Sequence, residues 1–196
     1  MQVEKQLWLL AGGNGAGKST FYRLFLQDTG ISFINADLIA KKNSPINPEE
    51  KSYEAAAIAE KIRYSFLKKG VSFCFETVFS HPSKIDFVAE AKSLGYEVIL
   101  VYIHLQSPEL NLARVSQRVS EGGHSVPEEK VLTRIPRTVS NIHDVLPLVD
   151  IAQIYDNSSL QQPFKPVARL TKGDIEIQMN PLPEWAKLIL DDYLLV

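Results

Sequence analysis

Short apolar runs alternate with longer mixed segments from residue 6 to residue 158. Gln6 to Ala11 (Gln-Leu-Trp-Leu-Leu-Ala) is apolar almost throughout and ends at two glycines. Such a run predicts a strand buried on both faces, the habit of a parallel sheet. Lys18 to Gln27 reads as a helix with Phe21, Leu24 and Phe25 as apolar positions, and Ile31 to Asn35 as a second strand closing at Ala36-Asp37. Asn47-Pro48-Glu49-Glu50 is a helix start: Asn47 can cap, Pro48 fits the first helical position, and Glu50 lies three after the cap. That helix runs through Ala55 to about Lys69 and stops at Gly70. Val71 to Phe75 is the third strand, followed by Glu76-Thr77, and Ser83 to Leu94 is a helix ending at Gly95. Glu97 to Leu105 is the most apolar strand. Ser107-Pro108-Glu109 opens a helix to about Glu121, which stops at Gly122-Gly123. Ser125 and Glu128 have capping-box spacing, and Pro136 inside the next helical pattern predicts a kink or a break. Ile151 to Tyr155 is the fifth strand and ends at Asp156-Asn157-Ser158.

This alternation predicts an α/β fold, a three-layer α/β/α sandwich around a five-stranded, mostly parallel sheet. The tail from about residue 160 differs. Val167 to Gln178 reads as a small hairpin turning at Lys172-Gly173-Asp174, and Pro183 to Leu195 as a last helix. No repeat, low-complexity stretch or long linker divides the 196 residues, so a single domain is expected.

Composition adds exclusions. With 45% hydrophobic and 22% charged residues the chain should fold as a globule. A formal net charge of −2 gives no broad basic field, so nucleic acid is not an expected partner. A lone cysteine, Cys74, can make neither an internal disulfide nor a thiolate metal cage, and reads as a buried thiol on a strand. No apolar run approaches the roughly 18 residues of a membrane span. The N-terminus opens directly into a strand pattern, so a cytoplasmic protein without membrane contact is expected.

Gly12-Gly13-Asn14-Gly15-Ala16-Gly17-Lys18-Ser19 matches Gly-x-x-x-x-Gly-Lys-Ser in full, between a predicted strand and a predicted helix. Backbone N–H groups must turn inward around a phosphate, which needs glycine where a side chain would block or strain the loop. The helix that follows aims its positive end at the anion. Gly13 through Thr20 is therefore the expected nucleotide-binding stretch for ATP. Lys18 reaches the β- and γ-phosphates and the Ser19 hydroxyl ligates Mg2+.

Other motifs narrow the class. The guanine-reading Asn-Lys-x-Asp pattern of a GTPase is absent, and neither Asp37 nor Glu76 closes the clean apolar run of a motor ATPase. Two acidic strand ends and a late arginine-rich segment fit a small-molecule kinase better. Ligands of a parallel sheet bind beyond the carboxyl ends of its strands, so Asp37 and Glu76 should face the phosphate cleft. One carboxylate can take the proton of the acceptor hydroxyl, while the other orients the acceptor or holds a water on the metal. Alternatively, Asp37 caps the next helix and Glu76 is a solvated loop residue. Arg114 and Arg118 share a helix face, Gly122-Gly123-His124 permits a hinge, and Arg134 and Arg137 follow. Two helical arms around a glycine turn describe a lid at about 114–137 whose arginines grip phosphate oxygens. A solvated charged hairpin is the alternative.

The ordered set of motifs resembles the zeta toxin family of P-loop kinases in its short form, over roughly residues 6–160. The resemblance rests on Ala11 to Thr20, on Ile34-Asn35-Ala36-Asp37 and on Ser72-Phe73-Cys74-Phe75-Glu76-Thr77. It continues in Gly122-Gly123-His124-Ser125-Val126-Pro127-Glu128, in Arg134-Ile135-Pro136-Arg137 and in Tyr155-Asp156-Asn157-Ser158. It implies transfer of phosphate from ATP to a sugar hydroxyl of a UDP-sugar such as UDP-N-acetylglucosamine. It makes Asp37 the general base, has Glu76 position substrate and metal, and sets Thr77 at the border of the substrate pocket. Arg118 and Arg134 would contact phosphates from the lid, and Asn157 would lie near the adenine. A family antitoxin, whose helix obstructs the ATP site, is the implied protein partner. One departure is visible: the lid helix of the family often carries consecutive arginines, where this chain has Leu132-Thr133-Arg134. Kinases of another hydroxyl acceptor (a nucleoside, a nucleotide cofactor or a polynucleotide end) share the same loop and lid. A nucleotide-binding partner protein without catalysis would have no need of a base at Asp37.

Overall fold

The computed structural model describes residues 5–43, 52–123 and 125–194. β1 (Gln6–Ala11), β2 (Ser32–Ile34), β3 (Phe73–Thr77), β4 (Glu97–His104) and β5 (Ile151–Asp156) form a parallel sheet in the order β2-β3-β1-β4-β5. The sheet has seven strands, not five. The expected hairpin, β6 (Lys165–Thr171) and β7 (Asp174–Ile177), adds antiparallel to β5 and extends the sheet at that edge. The burial of Val167, Ala168 and Leu170 draws it in, because these side chains continue the core rather than end it.

Helices cover both faces. On one face α1 (Lys18–Phe21) sets Phe21 against a cluster holding Leu10, Cys74, Val101 and Ile103. The other face carries α3 (Ser52–Lys69), α4 (Ser83–Ser93), α6 (Glu128–Val145) and α7 (Glu184–Leu194) on Leu9, Phe75, Leu100 and Tyr102. α7 does more than cover an edge: Trp185, Ala186, Ile189 and Leu190 are all core residues. α2 (Ala36–Asn43) and α5 (Pro108–Ser120) follow the ends of β2 and β4. Cys74 is free and buried as expected, and burial pushes its thiol pKa up.

Several local expectations change. The helix after Lys18 is α-helical only to Phe21, then continues as a π turn over Tyr22–Leu26 and a 3-10 turn over Gln27–Thr29. The capping box at Ser125 does not form: α6 begins at Glu128 with Pro127 at its N-cap and no side-chain cap bond. Pro136 does not break α6, which runs on to Val145. Val131, Thr138, Asn141, Ile142 and Val145 are buried along it, and that packing offsets the lost backbone bond. The helix start at Asn47-Pro48 and the hinge residue His124 lie outside the described residues.

His143 of α6 fastens α7. Its ring nitrogens lie 3.1 Å from Asp144, 3.1 Å from Asp191 and 3.3 Å from Asp192. The hydrogen bond to Asp144, aided by the charges of Asp191 and Asp192, raises its pKa above the ordinary value. The imidazolium therefore steadies α7 fully below the unfolded histidine pKa of about 6.5, and this contribution is lost as pH rises through the raised folded value. His143→Gln is expected to lower the urea midpoint at pH about 5.5 and to leave it nearly unchanged at pH about 9. Equal losses at both pH values would contradict the charge argument.

Candidate active site

β1 ends at Ala11, and the chain turns into the phosphate loop above the sheet. Gly12 has φ +149°, and a Cβ there would collide with the Ile103 carbonyl of β4. Gly17 has φ +102°, and a Cβ would come within 2.5 Å of Asn157 Nδ2. Both positions therefore need glycine, for conformation and for clearance. Two asparagines brace the loop from distant elements. Asn111 Nδ2 of α5 donates to the Asn14 carbonyl at 2.7 Å. Asn157 Nδ2 donates to the Ala16 carbonyl at 2.8 Å, while its Oδ1 accepts from the Phe164 backbone N–H at 3.1 Å. Gly13, Ala16 and Asn157 are buried behind the loop, whereas Asn14, Gly15, Gly17, Lys18, Ser19 and Thr20 line the cleft.

Lys18 lies folded into its own loop, with Nζ donating to the Gly12 and Gly13 carbonyls at 2.9 Å each. It is only 6% exposed. Burial lowers its pKa, the Glu76 and Asp37 charges oppose that, and Arg118 and Arg134 add to it. Glu76, at the end of β3, is the hub. Its Oε2 accepts from Ser19 Oγ at 2.6 Å and from Asn35 Nδ2 at 2.7 Å, and Lys18 Nζ lies 3.8 Å from Oε1. This excludes a solvated loop role for Glu76. Asn35 also caps α2, its Oδ1 accepting from the Leu38 backbone N–H at 3.1 Å. The cap belongs to Asn35, so Asp37 is not the cap. Asp37 stands exposed in the first turn of α2 and lines the cleft. Thr77 also lines the cleft, and its Oγ1 accepts from the Phe79 backbone N–H at 3.0 Å.

The opposite wall comes from α5 and α6. Arg114, Arg118 and Arg134 line the cleft, while Arg137 is exposed outside it. Arg114 Nη2 donates to the Asn157 carbonyl at 2.7 Å, which joins α5 to the end of β5. Gly123 closes α5 by donating its N–H to the Arg118 carbonyl at 2.8 Å. The whole cleft encloses about 940 Å³.

The zeta toxin family model matches residues 2–162, well over half of the chain. The chain belongs to the zeta toxin family. It is accordingly a P-loop phosphotransferase of α/β fold. An uncharacterized protein of Haemophilus influenzae is 36% identical over 139 residues, covering 67% of this chain and 99% of its own. Among solved structures, AvrRxo1-ORF1:-ORF2 with ATP superposes with a TM-score of 0.72 at 19% identity, over 97% of this chain and 64% of that one. The PezAT chromosomal toxin–antitoxin system of Streptococcus pneumoniae gives a TM-score of 0.61 at 22% identity, over 79% and 68%. At these identities the two structures establish the shared fold. This chain spans less than two thirds of the AvrRxo1-ORF1:-ORF2 chain it matches.

The family motifs leave one part of the cleft undescribed. Tyr53, Glu60 and Arg63 of α3, together with His81 and Lys84 at the start of α4, also line it. Sequence reasoning missed them. The signal available was a spacing of Ala56, Glu60 and Arg63 at i, i+4 and i+7, one face of a helix.

Proposed function

We propose that this protein transfers the γ-phosphoryl group of ATP to a hydroxyl of a small acceptor, a UDP-sugar such as UDP-N-acetylglucosamine. The observation that carries this reading is the division of labour at the start of α2. Asn35 takes the cap, so the Asp37 carboxylate is left on the cleft wall beside a complete phosphate loop. A binding protein without catalysis has no use for such a base. As the acceptor oxygen bonds to the γ-phosphorus, the bond from that phosphorus to the β–γ bridging oxygen breaks. The hydroxyl proton passes to Asp37, and ADP leaves with the electron pair. Lys18 exchanges its two loop carbonyls for phosphate oxygens. Arg118 and Arg134 meet charge that spreads over the transferring group.

Mg2+ fits the donor set. The Ser19 hydroxyl and a Glu76 carboxylate oxygen, both hard ligands, lie 2.6 Å apart at the loop's edge. When bound, the ion supplies neutralisation of β- and γ-oxygen charge. We place the catalytic parts in one domain, with α5 and α6 as its lid. A protein partner that blocks the nucleotide site is proposed by analogy with the PezAT toxin–antitoxin system.

The test is incubation of the protein with ATP, Mg2+ and a panel of UDP-sugars, free sugars and nucleosides, read by mass. A gain of one phosphoryl group on a UDP-sugar supports the reading, and no gain anywhere on the panel defeats it. In the same assay Arg118→Ala and Arg134→Ala should each lower kcat more than they raise the ATP KM. The more important of the two should cost about a hundredfold. Changes confined to KM would make them ground-state binders.

A further inference from the structure

The cleft holds two separate groups of positive charge. The charges felt at Lys18 are Glu76, Asp37, Arg118 and Arg134; Arg63 and Lys84 are not among them. Arg63 instead acts on Lys84, and both lie in the field of Glu60. They sit on α3 and α4, across the sheet from α1, and both line the cleft. The donor phosphates already have the loop, Lys18 and the arginines of α5 and α6.

Arg63 is an expensive residue to leave as it stands. It is 7% exposed, its Nε is buried without a hydrogen-bond partner, and no carboxylate among the described residues forms an ion pair with it. Its guanidinium lies over the rings of Phe75 at 5.0 Å and Phe87 at 5.6 Å. The two rings fix the fork's plane and leave its Nε–H without an acceptor. A buried cation with an unmet donor is completed by an anion that enters the cleft. Lys84, on the first turn of α4, is likewise in no ion pair among the described residues, and burial and the neighbouring Arg63 both lower its pKa. Phe75, under the Arg63 guanidinium, directly precedes Glu76 on β3, and Arg63, Lys84 and Glu76 all line the one cleft.

We propose that Arg63 and Lys84 form a second anion site, which grips a phosphate-bearing part of the acceptor while its hydroxyl is presented to the transferred phosphoryl group. Assignment to the acceptor rests on the kinase reading above; the anion site itself does not. The planar fork of Arg63 supplies paired donors to phosphate oxygens, and Lys84 supplies a mobile point charge. Such a site selects a small phosphorylated acceptor over a neutral sugar or nucleoside. The small acceptor is favoured over a polynucleotide end because a chain of net charge −2 lacks the excess of basic residues that tracking a polyanion needs.

The test uses the full chain saturated with a nonhydrolysable ATP analogue and Mg2+, so that the phosphate loop is already filled. Inorganic pyrophosphate and UDP are then titrated by calorimetry, with uridine as the neutral control. Pyrophosphate and UDP should bind, and Arg63→Gln and Lys84→Gln should each weaken them by about tenfold or more. Affinity for the ATP analogue should hold within about twofold, and uridine binding should not respond to either variant. If Arg63→Gln fails to fold, Lys84→Gln decides alone. Failure of both anionic probes to bind the loaded protein, or equal binding by wild type and variants, overturns the proposal. Tighter binding of a single-stranded oligonucleotide than of UDP overturns the small-acceptor assignment. Phosphoryl transfer in the absence of this site defeats the inference alone, and the site in the absence of transfer defeats the kinase reading alone.

Discussion

Asp37→Asn is expected to lower single-turnover phosphoryl transfer by roughly 10²–10⁴, the usual worth of a positioned general base. The change keeps the shape of the side chain and one acceptor oxygen but removes charge and basicity. α2 should be untouched, because its cap comes from Asn35 rather than from Asp37. The triphosphate contacts of the loop are untouched as well. Nucleotide affinity and transfer should therefore separate when both are measured on one preparation. Normal transfer by Asp37→Asn would move the role of base to Glu76. Parallel loss of nucleotide binding would point to a metal or structural role instead.

Lys18→Ala should abolish transfer, a loss on the order of 10³ or more, since a donor aimed at developing charge disappears. The residue is not a free arm waiting over the loop. It is buried, with Nζ on the Gly12 and Gly13 carbonyls, so truncation also removes both of these bonds, although Gly13 keeps the Ala16 N–H at 3.2 Å. Lys18→Met restores the packing of the stem but neither donor. It should keep more of the thermal stability than Lys18→Ala while transfer stays lost. Wild-type turnover by either folded variant would defeat the assignment of the phosphate loop.

The parallel part of the fold was legible because its central strands are buried on both faces. β1 and β4 read as nearly unbroken apolar runs. α2 was not seen as a helix, because its eight residues follow a three-residue strand and include Lys41, Lys42 and Asn43. The hairpin was visible as a hairpin, but its union with β5 depends on a register that only the folded core selects. The site divides in the same way. The loop and the acids at positions 37 and 76 lie in short contiguous motifs at strand ends, where chemistry and sequence coincide. Asn157 does its visible work 141 residues away, on the Ala16 carbonyl, and no local pattern announces such a contact. Arg63 has its setting from Phe75 and Phe87, which belong to a strand and a helix later in the chain. A helical stripe alone cannot tell a ligand-facing arginine from one lying on the surface.

The β6–β7 hairpin has a consequence for self-association. β5 carries Ala152 and Ile154 in the core and holds the backbone that leads to Asn157. Left as the last strand, it would offer a bare row of N–H and C=O groups to any second chain, the usual template for fibre growth. With the hairpin in place, the outermost strand on that side is the four-residue β7, whose Asp174 and Glu176 are both exposed. The opposite rim is the three-residue β2. A short, charged margin at β7 and a margin of only three residues at β2 resist edge-to-edge templating. The segment beyond the family match thus acts as a guard against polymerisation for the strand that leads into the phosphate-loop brace.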